Sequence, residues 1–249
     1  MKDNVNRKVI AIVSGGPDSF CSLVMFLAKG FNAEVFHFNY GHKASRKETE
    51  VIKKLIDKLN ILAKERGWGV VEKLHIIDMG FMKSFWKNTQ LVDESVTVEE
   101  EYKPSVVVPL RNVVMVVIAA AYAYTLIEKE GLDVILVLGS QYDDVKPTED
   151  WGPRYPDCSP ECFIALESAF NICHFRKCIG KLKIWTPSKE MIRKSELLRR
   201  CYSFIGDLIY ETWSCYQGYE KHCGKCESCI NRKRAFREAG LEDKTEYLV

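Results

Sequence analysis

Neither sign of charge dominates this chain of 249 residues: 36 lysines and arginines stand against 34 aspartates and glutamates, a formal net charge of +2. Without a one-signed field the chain has no general attraction for duplex nucleic acid or an anionic membrane surface, so neither is expected as a partner. Long apolar stretches are also missing. The longest, residues 113–127, falls short of the roughly 20 positions that a bilayer-spanning helix takes, and reads as a buried helix. The opening MKDNVNRKVIAIVSGG has no apolar stretch of signal-peptide length, so a cytoplasmic protein is expected. Internal repeats and low-complexity segments are absent. With 47% hydrophobic and 28% charged residues, the composition is that of a folded globular chain.

Cysteine is plentiful, with ten residues. In a reducing cytosol they are not read as disulfides. Cys21, Cys162, Cys173, Cys178 and Cys201 are scattered and expected to be small buried residues. Apart from Cys158, the other four bunch near one end as Cys215-x7-Cys223-x2-Cys226-x2-Cys229, a spacing that suits four thiolates on a tetrahedral zinc ion. An iron–sulfur cluster is the rival reading. Zinc is preferred because no proline-closed ferredoxin pattern follows. Four protein ligands leave no open position, so the metal is expected to be structural. Arg232, Lys233, Arg234 and Arg237 follow on an expected helix, either as a solvated face or as ligands of phosphate.

The rest of the chain alternates strand and helix. Residues 9–13, 33–40, 70–77 and 132–138 read as strands, and 106–108 is a short apolar run. Residues 20–29, 48–66, 112–130, 161–173 and 189–201 carry helical spacing. This alternation argues for an α/β fold with a doubly wound parallel sheet, whose ligands bind beyond the carboxyl ends of the strands. Residues 141–160, rich in Asp, Pro and Gly, are expected to form a long surface loop.

Between the first strand and first helix lies Ser14-Gly15-Gly16-Pro17-Asp18-Ser19. Glycines there let the backbone approach an anion, and the hydroxyls of Ser14 and Ser19 add donors. No Gly-Lys-Ser/Thr follows, so it is not a Walker A loop, and the third glycine of the dinucleotide pattern is missing. The plain alternative is a tight turn capped by Asp18. The SGG-x-DS pattern resembles the PP-loop of ATP pyrophosphatases, which split ATP into AMP and pyrophosphate. That resemblance implies that Ser14, Gly15, Gly16, Asp18 and Ser19 bind ATP, with Asp18 helping to hold Mg²⁺. It also lays the second strand, around Phe38, along the adenine.

Further motifs narrow the resemblance. Val108-Pro109-Leu110-Arg111-Asn112 could by itself be a strand end with an Asn cap, and Tyr155-Pro156-Asp157-Cys158 a turn. Together with the PP-loop, Thr186-Pro187, the cysteine tail and Tyr40-Gly41, Lys43 and Glu48, they resemble the 7-cyano-7-deazaguanine synthase family from about Lys8 to Leu241. The resemblance implies a PP-loop ATP-binding domain over residues 1–205 and a four-cysteine, zinc-binding helical segment over 206–249 packed on it. It implies an ATP-dependent ligase, a homodimer, that joins 7-carboxy-7-deazaguanine to ammonia through adenylated intermediates and yields the nitrile. Lys43 joins the ATP-binding set. Arg111, Asn112, Tyr155, Asp157 and Cys158 bind the deazaguanine, and Asp18, Ser19, Arg111 and Asp157 are the catalytic candidates.

Three departures from the family pattern stand out. His42 replaces the usual Gln, residues 145–154 enlarge the loop before Tyr155, and Ser159 and Cys162 replace the usual residues after Cys158. They keep open an amine acceptor larger than ammonia, such as a protein in an antiviral system. A non-catalytic nucleotide-binding module with a zinc ribbon is a third reading.

Overall fold

The computed structural model describes residues 7–147, 152–178 and 180–249. Five strands, β1 (Arg7–Ile12), β2 (Ala33–Asn39), β3 (Val71–Asp78), β4 (Asp133–Val137) and β5 (Leu182–Trp185), form one sheet in the order β3-β2-β1-β4-β5. Every pairing is parallel, and Val9 of β1 stands opposite both Ala33 and Ile135. Parallel strands need crossovers. These are supplied by α1 (Pro17–Ala28), α2 (Ser45–Glu65), α3 (Arg111–Glu130) and α4 (Pro160–Ile172), with α5 (Lys194–Ile205) and α6 (Glu227–Ala239) added after the sheet.

Burial of both sheet faces follows from the two-residue period of β1. Val9, Ala11 and Val13 enter one core with Leu23 and Leu27 of α1, Leu55 and Leu59 of α2, and Leu197 of α5. Ile10 enters the other, with Val116, Ala119 and Ala123 of α3 and Phe163 of α4. The chain therefore winds one way from β1 through α1 and α2, and the other way from β4 through α4. The strand order reverses between β1 and β4, and there the carboxyl ends open a crevice.

Several expectations change here. The stretch Pro104–Glu130 is long and apolar enough to cross a membrane by length and composition, contrary to the sequence reading. Its inner face nevertheless packs on the sheet through the fully buried Val116, Ala119 and Ala123. The short apolar run 106–108 starts at the end of a 3₁₀ turn over Pro104–Val106. β5 was not foreseen, because LKIW alternates buried and exposed positions over only four residues and carries a lysine. Residues 189–201 are not one helix. A 3₁₀ turn at Pro187–Glu190 comes first and Met191 takes a left-handed φ of 57°, so α5 starts at Lys194.

Residues 141–160 are only partly a surface loop. Gln141 caps a 3₁₀ turn at Tyr142–Val145, a second turn spans Pro156–Cys158, and Asp157 and Cys158 are buried. Of the enlargement at 145–154, residues 148–151 lie outside the described residues. Cys21 and Cys201, expected as separate thiols, form a disulfide between α1 and α5. Of the other scattered cysteines, Cys162 and Cys178 are half-buried and Cys173 is exposed.

Candidate active site and metal centre

The loop after β1 is held open by its own backbone. Gly15 has φ +97°, and a Cβ there would stand 3.3 Å from the Glu48 carbonyl oxygen, so glycine is required twice over. Ser14 Oγ accepts from Gly16 N (3.2 Å), Ser19 Oγ accepts from Ser14 N (3.2 Å), and the two hydroxyls lie 3.3 Å apart. Gly16 is the N-cap of α1, and no side chain caps that terminus. Its free N–H groups suit an anion. Asp18 is therefore not the cap of a tight turn. Its Oδ2 accepts from Lys194 Nζ at 2.7 Å, and its Oδ1 is buried with no hydrogen-bond partner among the described residues.

The segment after β4 closes on this loop. A Cβ on Gly139 would lie 2.4 Å from Ser19 N and 2.6 Å from Ser19 Cα, so only glycine lets the two backbones touch. Beyond it, Asp144 accepts from Gln141 N at 3.0 Å and Gln141 Nε2 at 2.8 Å. Burial, and then the charge of Asp18, push its carboxyl up to about 7.

Asp157 and Cys158 dock against the start of α3. Asp157 Oδ2 accepts from Asn112 N at 2.9 Å, and Asn112 Nδ2 reaches Cys158 Sγ at 3.2 Å. Asn112 therefore caps nothing. Leu110, in a left-handed conformation, is the N-cap of α3, and the helix's open N-terminus is satisfied across the chain by Asp157. Burial pushes the Cys158 thiol well above its ordinary value, which argues against a thiolate nucleophile. Arg111 donates to Tyr40 Oη at 3.0 Å, and Tyr40 stacks on His42 at 4.1 Å. His42 Nε2 lies 2.9 Å from Glu48 Oε2. Burial works against the Arg111 charge, but Tyr40, Asp157 and Cys158 around it hold the guanidinium firmly protonated.

Two adjoining cavities result. One, of about 260 Å³, is lined by Ser14, Gly16, Asp18 and Ser19 together with Phe38 and Tyr40. The other, of about 410 Å³, is lined by Val108, Tyr155, Asp157, Glu227 and Arg234. They meet at Asp18, Arg111, Asp144, Cys158, Lys194 and Tyr216, which line both. Asn112 lines the first cavity. Lys43 lines neither, and its ammonium reaches the Val96 carbonyl at 2.6 Å. Gly139, Asp144, Lys194 and Tyr216 were missed in the sequence. Lys194 read as one more helical lysine, and Asp144 lay in a stretch without periodicity.

The sulfurs of Cys215, Cys223, Cys226 and Cys229 lie within 4.8 Å of one another, all buried, and Cys223 and Cys229 are 3.8 Å apart. Bonds of ~2.3 Å to one tetrahedral ion would separate sulfurs by ~3.8 Å. Gln217 N and Cys223 N donate to Cys215 Sγ, and Cys226 N donates to Cys223 Sγ, as thiolates require. This set could hold a metal ion. Arg232 is neither solvated nor free for phosphate: it is 0% exposed and donates to Thr212, Ser214 and Thr245. The tail also reaches the site directly, because Trp213 N donates to the Gly15 carbonyl at 2.9 Å.

Comparison with known proteins identifies the family. The family model described as queuosine biosynthesis protein QueC matches residues 8–240. A 7-cyano-7-deazaguanine synthase of a Nitratiruptor species is 31% identical over 244 residues, 96% of this chain and 98% of its own length. Proteins of the same name from a Marinomonas species and from Methanoculleus marisnigri are each 32% identical, over 98% and 97% of this chain and 99% of their own lengths. With a glycine loop, a two-chambered crevice and a four-cysteine tail inside one full-length match, the chain belongs to the QueC family of queuosine biosynthesis proteins.

Proposed function

We propose that this protein is a 7-cyano-7-deazaguanine synthase, converting 7-carboxy-7-deazaguanine, ammonia and ATP into the nitrile, AMP and pyrophosphate. The observation that carries the reading is the meeting of two cavities, one bounded by the Ser14–Ser19 loop and the other by Tyr155 and Asp157. In this reading Ser14, Gly15, Gly16, Asp18 and Ser19 take the phosphates of ATP, with Phe38 beside the nucleoside. The deazaguanine occupies the wider cavity, where the Asp157 carboxylate accepts from its guanine-like N–H groups, flanked by Tyr155 and Cys158. Arg111 and Asn112 orient the substrate carboxylate.

The carboxylate oxygen attacks the α-phosphorus and the bond to pyrophosphate breaks. Ammonia then displaces AMP, which carries off one carboxylate oxygen, and leaves an amide. A second adenylation at the amide oxygen removes it with another AMP, and loss of protons leaves the nitrile. Loop N–H groups and Arg111 counter the charge that develops on the phosphates.

Two ions fit the donors present. The buried, unpartnered Oδ1 of Asp18 is the kind of oxygen Mg²⁺ takes, and Mg²⁺ would neutralise phosphate charge when bound. The four buried cysteines fit structural zinc. A homodimer completes the proposal as a family expectation. Incubation with 7-carboxy-7-deazaguanine, ammonium, Mg²⁺ and ATP is expected to give the nitrile by mass spectrometry, with two AMP formed per nitrile. AMP formed without nitrile would transfer the chemistry to another amine, and ATP bound with no AMP released would reduce the protein to a binding module.

A further inference from the structure

The chain turns sharply between β2 and α2. Gly41 takes a left-handed φ of 74°, its N–H donates to Asn39 Oδ1 at 3.1 Å, and Ser45 N donates to the His42 carbonyl at 3.0 Å. The turn sets His42 against Glu48 in the first turn of α2, with Nε2 2.9 Å from Glu48 Oε2. A carboxylate only accepts, so Nε2 donates, and the neutral imidazole keeps a lone pair on Nδ1. His42 is 6% exposed, and that Nδ1 is enclosed with no hydrogen-bond partner among the described residues. An enclosed acceptor without a donor is costly and calls for an explanation. His42 and Glu48 both line the first cavity, which is where a donor can come from.

We propose that His42 is the docking residue of the nitrogen nucleophile, its Nδ1 accepting a hydrogen bond from ammonia while Glu48 fixes the imidazole. This rests on the ATP-dependent reading above. Size selects among the donors that reading brings to the cavity, since an enclosed nitrogen admits a donor of one heavy atom and not a ribose or an adenine. Position agrees with it. The His42 ring stacks on Tyr40 with centroids 4.1 Å apart, and Tyr40 Oη accepts from Arg111 at 3.0 Å. Only Tyr40 therefore separates His42 from the arginine that orients the substrate carboxylate in that reading, and a nucleophile held there is close to the carbon it attacks. The ammonia lone pair bonds to the acyl carbon, the carbon–oxygen bond to AMP breaks with its electron pair leaving on AMP, and the new amide nitrogen gives up one proton to solvent. His42 makes no bond, and its part is to position the nucleophile. Glutamine, the usual residue of the family pattern here, carries the same two groups, an amide N–H for Glu48 and a carbonyl for the nucleophile.

The test separates the amide step from adenylation. For His42→Phe, which keeps a ring against Tyr40 and loses both nitrogens, the KM for ammonium in nitrile formation is expected to rise about 5- to 30-fold. Exchange of labelled pyrophosphate into ATP, run with 7-carboxy-7-deazaguanine and no ammonium, is expected to change by less than about threefold. His42→Gln should hold the KM for ammonium within about threefold of wild type, because it restores an acceptor. Wild-type protein given methylamine should form the N-methylamide more than about tenfold slower than it forms the nitrile from ammonium, because an enclosed site rejects the added methyl group. An unchanged KM for ammonium in His42→Phe would overturn the proposal. So would a fall in pyrophosphate exchange that matches the loss of nitrile, since His42 would then be a nucleotide contact. Methylamine used as readily as ammonium would overturn it as well, and that measurement stands even where His42→Phe fails to fold. Wild-type protein that exchanges no pyrophosphate would instead overturn the functional reading itself.

Discussion

At Gly139 the molecule admits no side chain at all. A methyl group there would overlap Ser19 N and Ser19 Cα, 2.4 and 2.6 Å away, and backbone on both sides leaves nothing flexible to yield. Gly139→Ala is expected to push the β4 turn off the phosphate loop, lowering stability by about 3 kcal/mol and abolishing AMP formation. Urea unfolding and the AMP assay check the two effects separately. Asp144 gives a pH signature. Its folded value of about 7 lies above the ordinary 3.8, so between those values the folded protein keeps a proton that the unfolded chain gives up. Its contribution therefore favours folding at low pH and is lost as pH rises through the window. With about 1.36 kcal/mol per unit, the effect is at most about 4 kcal/mol. Stability measured from about pH 4.5 to 8 should decline more steeply in wild type than in Asp144→Asn, and parallel slopes would refute the assignment.

At the scale of elements, α1 and α5 carry the two halves of the Asp18–Lys194 pair and are joined by the disulfide from Cys21 to Cys201. The bridge closes a loop with a sequence separation of 180, long enough for a large loss of unfolded-chain entropy. Cys21→Ser is expected to lower unfolding free energy by about 2–5 kcal/mol, measured in urea without reductant. An unchanged midpoint would mean that the thiols are not bridged in solution. The same two helices show what the sequence could tell. α1 was legible because a strand, two glycines and a hydrophobic stripe follow one another locally. α5 was legible as a helix but not in its start, which is set by the left-handed turn at Met191, and not in its partner, which is 176 residues away. Strand β4 was readable from its unbroken apolar run. β5 was not, because four residues at a sheet edge carry too few buried positions to stand out. Asp157 shows the same limit. YPDC marked it as important, but only the fold reveals that it satisfies the N-terminus of a helix 45 residues earlier.

Across the whole molecule, the four-cysteine segment is a wall of the site as well as an appendage to it. Trp213 is bonded to the Gly15 carbonyl, Ser214 and Tyr216 line the first cavity, and Tyr216 donates to Glu227, which lines the second. On the far side, Ala235 and Phe236 of α6 share the core of α1 and α5. If the four sulfurs hold zinc as proposed, the ion would draw them together and help to fix this shape, with Cys223 Sγ and Cys229 Sγ 3.8 Å apart. Binding of structural zinc to such sets is worth about 10–16 kcal/mol, which is folding free energy when the site does not pre-exist. Removing the metal with a chelator is therefore expected to release Trp213 from its buried place, seen as a red shift of tryptophan emission. Nucleotide affinity should be lost in proportion to zinc removed and return when zinc is added back. Cys226→Ser should show the same loss without chelator. Metal-free protein that bound the ATP analogue as tightly as before would separate the cysteine centre from the phosphate loop, and the backbone bond between Trp213 and Gly15 would then have no part in shaping the site.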